Sequence, residues 1–114
     1  SIEDYTSALS DLKKIIEKFQ ETESAELAYQ QIALIEGQRQ NYPALISSYQ
    51  KLLEKYPSSK ASAEAYFWIG WGQFELKKFK ESSAALREAR KLDKRSYHER
   101  ATLRIILANI RSKE

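Results

Sequence analysis

Cysteine and methionine are absent from this chain of 114 residues, and histidine occurs once, as His98. Because no thiol is present, the chain can form neither a disulfide nor a thiolate metal site, and cysteine usage does not indicate whether its compartment is oxidising or reducing. A single imidazole and no thiol exclude Cys–His pairs and zinc sites built from several histidines, and we predict no hydrolase triad around this histidine. We therefore predict no catalytic, metal-binding or cofactor-binding residue, and we expect His98 to lie on the surface.

Turn-forming residues and long apolar runs are also scarce. The chain has 3 glycines and 2 prolines, and no apolar run approaches the roughly 18 residues of a membrane span. No Gly/Ser linker divides the chain, and no alternating β-branched segment predicts a strand. With 42% apolar residues, a packed core is possible, so we predict one all-α domain over residues 1–114. Ser1 in place of an initiator Met predicts a processed end or the boundary of a fragment.

The formal net charge is +3, but the charges are unevenly distributed. Residues 1–76 carry 7 basic and 11 acidic side chains, whereas residues 77–114 carry 12 basic and 5 acidic ones. A basic surface can meet an acidic peptide, an anionic membrane surface or nucleic acid. Interspersed acids such as Glu81, Glu88 and Glu99 favour an ordinary solvated face instead. No RNA-recognition signature, zinc spacing or glycine-rich phosphate loop is present, which disfavours nucleic acid as a partner.

An internal repeat of 37 residues is the most informative feature of the sequence. Apolar residues recur at this offset in five sets: Tyr5, Tyr42 and Phe79; Leu12, Tyr49 and Leu86; Ile15, Leu52 and Ala89; Tyr29, Tyr66 and Leu103; Ile32, Ile69 and Ile106. A fixed period of this length is typical of repeat architectures, in which each unit buries its apolar face against its neighbours. The repeat therefore directs the search for function to a binding surface.

Each repeat unit predicts two helices. Apolar residues spaced i, i+3, i+4 and i+7 mark one face of a helix, as between Tyr42 and Tyr56. Asn41 before that segment and Pro43 in its first turn are typical of a helix start. Further caps are predicted at Asp4, Thr22, Ser59 and Ser96, the last in a capping box with Glu99. The predicted helices are 2–19, 24–39, 42–56, 60–77, 79–92 and 96–111, with short connections that require antiparallel neighbours.

The residues at the repeat positions resemble the tetratricopeptide repeat. The resemblance rests on Ala63, Tyr66, Ile69, Gly70, Phe79, Leu86 and Ala89 in one stretch, and on Tyr29, Ile32, Ala33, Tyr42, Leu45, Tyr49, Leu52 and Pro57 in another. It covers nearly the whole chain but is offset in phase. A second helix (2–19) comes first, two complete repeats (24–57 and 60–94) follow, and a first helix (96–111) closes the chain. The resemblance implies a right-handed α-solenoid of antiparallel helix hairpins.

Some residues depart from the family pattern. Ser82, Lys94 and Leu107 stand where alanine, proline, and alanine or glycine are expected, so the last helix is the least typical member. The long period and the join at 56–66 are similar to bacterial cell-envelope repeats, such as outer-membrane assembly lipoproteins and Tol–Pal-associated periplasmic proteins. That similarity implies a location in the periplasm or cell envelope.

The family resemblance implies a non-catalytic scaffold that binds a peptide or partner protein in a concave groove, without a small-molecule substrate. The first helix of each unit would line the groove, which would run from amide-lined through aromatic to basic. The predicted partner-binding residues are Gln30, Leu34, Phe67, Trp71, Phe74, Arg104 and Arg111. Aromatic residues and arginine dominate binding hot spots. The charge clamp of some family members is not predicted, because Gln30 and Leu34 stand where it needs lysine and asparagine.

Other interpretations stay open. Aromatic residues at helical spacing also occur in cores, so Phe67 and Trp68 are equally candidates for the core. The chain could instead be a structural spacer or a dimerisation module without a groove ligand, because its last helix ends on Ile105, Ile106, Leu107 and Ile110. Such an apolar helix predicts further repeats beyond Glu114, a partner or a second copy over it. A third interpretation is binding of an anionic surface by the basic C-terminal third.

Overall fold

The computed structural model describes residues 2–113; Ser1 and Glu114 lie outside this range. Six α-helices occupy the described residues: α1 (Ile2–Lys18), α2 (Glu23–Gln38), α3 (Tyr42–Lys55), α4 (Ser62–Glu75), α5 (Phe79–Leu92) and α6 (Lys94–Arg111). Each helix packs on the next one in the chain, and α4 also contacts α6. The described residues contain no strand, so the predicted all-α class is confirmed. No helix among them is long and apolar enough to span a membrane.

The observed helix ends lie close to those predicted from the sequence. Helix α5 begins and ends where predicted, and the other helices differ from prediction by one or two residues at an end. Thr22 caps α2 as predicted, because its hydroxyl accepts a hydrogen bond from the Ala25 amide at 3.3 Å. Asn41 is the N-cap residue of α3, although its side chain makes no capping bond, and proline lies in the first turn.

Three predicted caps are wrong. Helix α6 begins two residues early because the Asp93 carboxylate accepts from the Ser96 amide at 3.1 Å, which places Ser96 inside the helix and removes the capping box. Asp4 lies within α1. Ser59 precedes the actual N-cap, Ala61, whose amide donates to the Ser59 hydroxyl at 3.0 Å. At α6 a neighbouring residue, Asp93, thus satisfies one of the first amides instead.

Two helix–helix turns have the same backbone geometry. Gln40 and Lys77, which follow α2 and α4, adopt φ values of 58° and 63°. The amide of the residue after each donates five residues back: Asn41 to the Glu36 carbonyl and Lys78 to the Gln73 carbonyl, both at 2.8 Å. This Schellman-type closure satisfies the last carbonyls of each helix. The two turns therefore send α3 and α5 back along α2 and α4 in the same way.

The core consists of two clusters that share α4. One joins α2, α3 and α4 and contains Tyr29, Ala33, Leu45, Tyr49, Leu52, Ala65 and Ile69. The other joins α4, α5 and α6 and contains Phe67, Leu86, Ala89, Ala101 and Ile105. Trp68 packs against both clusters. Helix α4 is thus buried on two sides, which leaves only a narrow strip of its surface for a ligand.

Helices α4 and α5 approach most closely at Gly70. A Cβ atom at this position would lie 2.7 Å from Leu86 Cγ and 3.1 Å from the Ser82 carbonyl oxygen. The Ser82 hydroxyl, fully buried, donates to the Gly70 carbonyl at 2.6 Å. Serine is therefore accommodated at this crossing without an unsatisfied polar group, which explains one departure from the family pattern.

Candidate functional site

A row of aromatic side chains runs along α4. Phe67, Trp71 and Phe74 are spaced i, i+4 and i+7, which places them on one helix face. The centroid of the Phe67 ring lies 6.1 Å from that of Trp71, and the Trp68 and Trp71 centroids are 5.7 Å apart. The sequence predicts this row on one face of the helix, and the structure places the Phe67, Trp68 and Trp71 rings in mutual contact.

Arginines from α6 lie over these rings. The guanidinium carbon of Arg104 is 3.5 Å from the Trp71 centroid and 4.6 Å from that of Phe74. Arg100 lies 4.5 Å from the Phe67 centroid, and Arg111 lies 4.9 Å from that of Phe74. A planar cation over a ring is attracted by the negative ring face. The aromatic and basic residues predicted for separate parts of a groove therefore stack on each other.

The exposure expected for Phe67 and Phe74 is wrong. Phe67 is 1% exposed and Phe74 is 6% exposed. Tyr97 stacks on the Phe67 ring at 4.9 Å, and Phe79 meets the Phe74 ring edge-on at 5.3 Å. With arginines on the remaining sides, neither ring offers area to a partner. In this structure both belong to the packed interior, which was the alternative interpretation of Phe67.

Trp71 remains accessible on the side that faces α2. It is half-buried, and it lines a cavity of about 270 Å³ between α2, α3 and α4. Leu34, which is 39% exposed, lines the same cavity from α2. The cavity walls are Ala33, Leu34, Gly37, Gln38, Tyr42, Leu45, Tyr49, Trp68 and Trp71. The structure thus brings two of the predicted partner-binding residues together in one largely apolar cleft.

Gln30 has a different environment from the one expected. Its side-chain amide donates to a Glu64 carboxylate oxygen at 2.6 Å, and the Tyr49 hydroxyl reaches the same oxygen at 3.4 Å. Burial and the nearby Glu64 charge raise the pKa of Tyr49, which keeps its hydroxyl a donor. Because the Gln30 amide is already bonded to Glu64, the predicted amide-lined end of the groove is a wall of side chains bound to one another.

A second, wider concavity lies at the amino ends of α2, α4 and α6. It has a volume of about 890 Å³, and its walls carry four carboxylates: Glu23, Glu26, Glu64 and Asp93. Gln30 and Tyr97 also line it. The face formed by these three helices is therefore acidic at one end and basic at the other. The acidic end was not predicted, because the acids belong to three separate segments of the chain.

Arg104 is the most desolvated of the stacked arginines. Burial lowers the pKa of its guanidinium, with Arg111 acting in the same direction, whereas Glu75 opposes the shift. The Arg104–Glu75 distance is 3.8 Å, a loose ion pair. Arginine stays cationic in proteins, so the group remains a charged donor. Among residues 2–113, no carboxylate oxygen lies within 4.0 Å of an Arg100 or Arg111 nitrogen.

Sequence reasoning missed Tyr97 and Arg100 as parts of the aromatic cluster. The signal was present: Arg100, Arg104 and Arg111 are spaced i, i+4 and i+11, one face of a helix like the one that carries the rings. His98 is exposed, as expected. The described residues contain no group of three or more metal-ligating side chains.

No known protein-family model matches this chain, and a search of curated proteins finds no match.

Proposed function

We propose that this chain is a tetratricopeptide-type scaffold, a right-handed solenoid, that binds a peptide or a segment of a partner protein without catalysing a reaction. Support for the repeat comes from the matching turns at Gln40 and Lys77, which are 37 residues apart. Helices α3 and α5 also begin and end at this offset. In such a stack α2, α4 and α6 share the concave face, which is where the cleft, the arginines and the acidic concavity lie.

The observation that carries the binding proposal is the cleft between Leu34 and Trp71. A preformed, largely apolar space of about 270 Å³ suits one bulky aliphatic or aromatic side chain of a ligand. Trp71 offers a large rigid ring whose other face is held by Arg104. A fixed ring loses little entropy on binding, which is why tryptophan is frequent among hot-spot residues.

A carboxylate of the ligand would contact the arginines of α6. The guanidinium carbons of Arg104 and Arg111 lie over Trp71 and Phe74, 3.5 Å and 4.9 Å from the ring centroids, and the ring faces are not hydrogen-bond acceptors of the kind that a carboxylate offers. Arginine stacked in this way can still bind a carboxylate with two hydrogen bonds. Arg111 is exposed and has no carboxylate partner within ion-pair distance among residues 2–113, so it is the better placed of the two.

Tryptophan fluorescence offers a direct test, because Trp68 and Trp71 are the only indoles in the chain. Peptides selected from a displayed library would be titrated into the chain while emission is recorded. We expect a saturable change, and we expect Trp71→Ala to weaken binding by about 2 kcal/mol, roughly thirtyfold. Trp68→Phe leaves Trp71 as the single indole, so that an emission change in this variant can be assigned to Trp71.

A matched pair of leucine substitutions locates the ligand. Leu34→Asp should abolish binding, because it places a carboxylate in the apolar cleft. Leu92→Asp makes the same change at a residue of α5 that is 49% exposed and outside both the cleft and the acidic concavity, and it should leave affinity unchanged. Equal effects of the two changes would place the ligand elsewhere, and the absence of a saturable signal with any peptide would refute the scaffold proposal.

A further inference from the structure

Helix α6 carries an apolar stripe that no other helix of the described chain covers. Leu103 is 63% exposed, Ile106 is 50% exposed and Ile110 is 54% exposed. The residues 37 positions before Leu103 and Ile106 are Tyr66 and Ile69, half-buried and buried. Tyr29, on α2, packs in one cluster with Leu45, Tyr49 and Leu52 of the helix that follows, α3. Tyr66, at the same position on α4, packs against the cluster that contains Leu86 and Ala89 of the helix that follows it, α5. The chain itself thus shows twice what covers this position: an antiparallel helix.

Helix α1 carries the matching open face. Ala8, Leu12 and Ile15 are each half-buried. Their counterparts 37 and 74 residues later are all buried, namely Leu45, Tyr49 and Leu52 on α3 and Ser82, Leu86 and Ala89 on α5. What covers those residues is the preceding helix, as the contact between Gly70 and Leu86 shows. Within residues 2–113 no helix occupies this place beside α1.

The two open faces are complementary in volume. Leu107 on α6 is larger than its counterparts Ala33 and Gly70, and in the same register it would meet Leu12, the counterpart of the Leu86 that contacts Gly70. Helix α1 offers Ala8 where α3 has Leu45 and Leu12 where α3 has Tyr49, and these smaller side chains offset the bulk of Leu107. Exchanges that conserve total volume are the ones that packed cores tolerate best.

The two faces are also complementary in charge. Helix α6 contains five lysines and arginines and a single acid, Glu99, so two copies of α6 would repel each other. Helix α1 contains four acids and three lysines, and its first turn is acidic. In an antiparallel pair the amino end of α1, with Glu3, meets the carboxyl end of α6, with Arg111 and Lys113, whereas the carboxyl end of α1, with Lys18, meets the basic amino end of α6. The net charge of −1 on α1 (three lysines and four acids), against +4 on α6 (five basic residues and one acid), favours α1 over a second α6 as the occupant.

We propose that copies of this chain stack head to tail, with α1 of one copy docked on the Leu103–Ile106–Ile110 stripe of the next. The contact is heterologous, because two different surfaces meet, so each added copy presents a new open stripe. Association is therefore open-ended. The head-to-tail contact uses a face of α6 different from the one that carries the arginines, and the contact does not depend on a ligand in the groove.

Sedimentation velocity of the 114-residue chain across a range of concentrations tests the stacking. We expect the average mass to rise continuously above the 13.3 kDa of one chain and to pass the dimer without a plateau. Leu92→Asp is the control, because Leu92 is 49% exposed, about as much as Ile106, and lies on α5 away from both docking faces; this variant should associate like the wild type. A monomer at every concentration would overturn the proposal.

Two half-blocked variants distinguish head-to-tail stacking from symmetric pairing. Ile106→Asp removes the α6 face and keeps α1, whereas Ala8→Arg removes the α1 face and keeps α6. Each should be monomeric alone, and their mixture should form a one-to-one dimer of twice 13.3 kDa and nothing larger. An Ala8→Arg variant that still dimerises alone would show that two α6 helices pair, which contradicts head-to-tail docking.

Folding of the variants can be checked separately. Circular dichroism melting curves establish that each variant is native, and Glu3→Arg provides an α1 variant at an exposed residue should Ala8→Arg unfold. Glu3→Arg should weaken association at low salt and keep the melting temperature. Peptide affinity should be unchanged in all of these variants, so a failure of stacking and a failure of the groove proposal give different results.

Discussion

Gly70→Ala tests how closely α4 and α5 must approach. An added Cβ would lie 2.7 Å from Leu86 Cγ and 3.1 Å from a backbone oxygen of Ser82. Leu86 is fully buried, so it has no open space into which to move. Overpacking of this kind costs about 1–3 kcal/mol, whereas replacing glycine by alanine within a helix stabilises it by about 1 kcal/mol. We expect the first effect to prevail, with a net loss of up to about 2 kcal/mol.

Gly72→Ala is the matched control. It lies on the same helix and gains the same helix propensity, but its nearest neighbours are the Ile46 side-chain carbons at 3.1 and 3.2 Å. Ile46 is only half-buried and can rotate away. The difference between the two variants in urea unfolding therefore isolates the packing contribution. Gly70→Ala should be less stable than Gly72→Ala by about 1–3 kcal/mol. Equal stabilities would refute the close approach of α4 and α5.

Two further substitutions test the amino-terminal cap of α6 and the contact of Arg104 with Trp71. Asp93→Ala should lower the free energy of unfolding by about 1 kcal/mol, because it removes the acceptor for the Ser96 amide. Thermal melting would show this as a decrease of roughly 4 °C in the melting temperature. Asp93→Asn, which keeps an acceptor oxygen, should restore most of the lost stability. Arg104→Gln should cost about 0.5–2 kcal/mol through loss of the stack on Trp71, and it should shift Trp emission to longer wavelength as the ring gains water. Arg104→Lys, which keeps the charge without the planar group, should retain only part of that stability, and an unchanged spectrum in Arg104→Gln would contradict the stacking.

The helices were predictable because local signals are strong and agree with one another. Apolar residues at helical spacing placed all six, and Pro43 marked the start of one of them. The ends were less predictable where two polar residues compete for the first amides. At α6, Asp93 and Ser96 are both good caps, and the sequence does not say which backbone will turn first. The carboxylate of Asp93 forms the bond, and the helix begins two residues earlier than the capping box at Ser96 predicts.

The candidate site was predictable in its residues but not in its contacts. Helical spacing identified Phe67, Trp71 and Phe74 as one row, and it identified the arginines of α6 as a set. Whether a ring is covered depends on the stagger of two helices that are far apart in the chain. That stagger puts Arg104 over Trp71 rather than beside Phe67, its nearest counterpart in the repeat. Periodicity fixes which face a residue occupies, and tertiary packing fixes what lies on that face.

The arginines of α6 determine where a ligand can bind. They seal the outer sides of Phe67 and Phe74, so the only ring of the row with an open side is Trp71, and that side faces α2. Selectivity in the proposed groove therefore depends on α2, above all on the size and polarity of residue 34. Leu103 and Arg104 are neighbours in the chain and project about 100° apart around α6. Stacking on one face and ligand binding on the other do not compete, so a head-to-tail array would carry one cleft per copy.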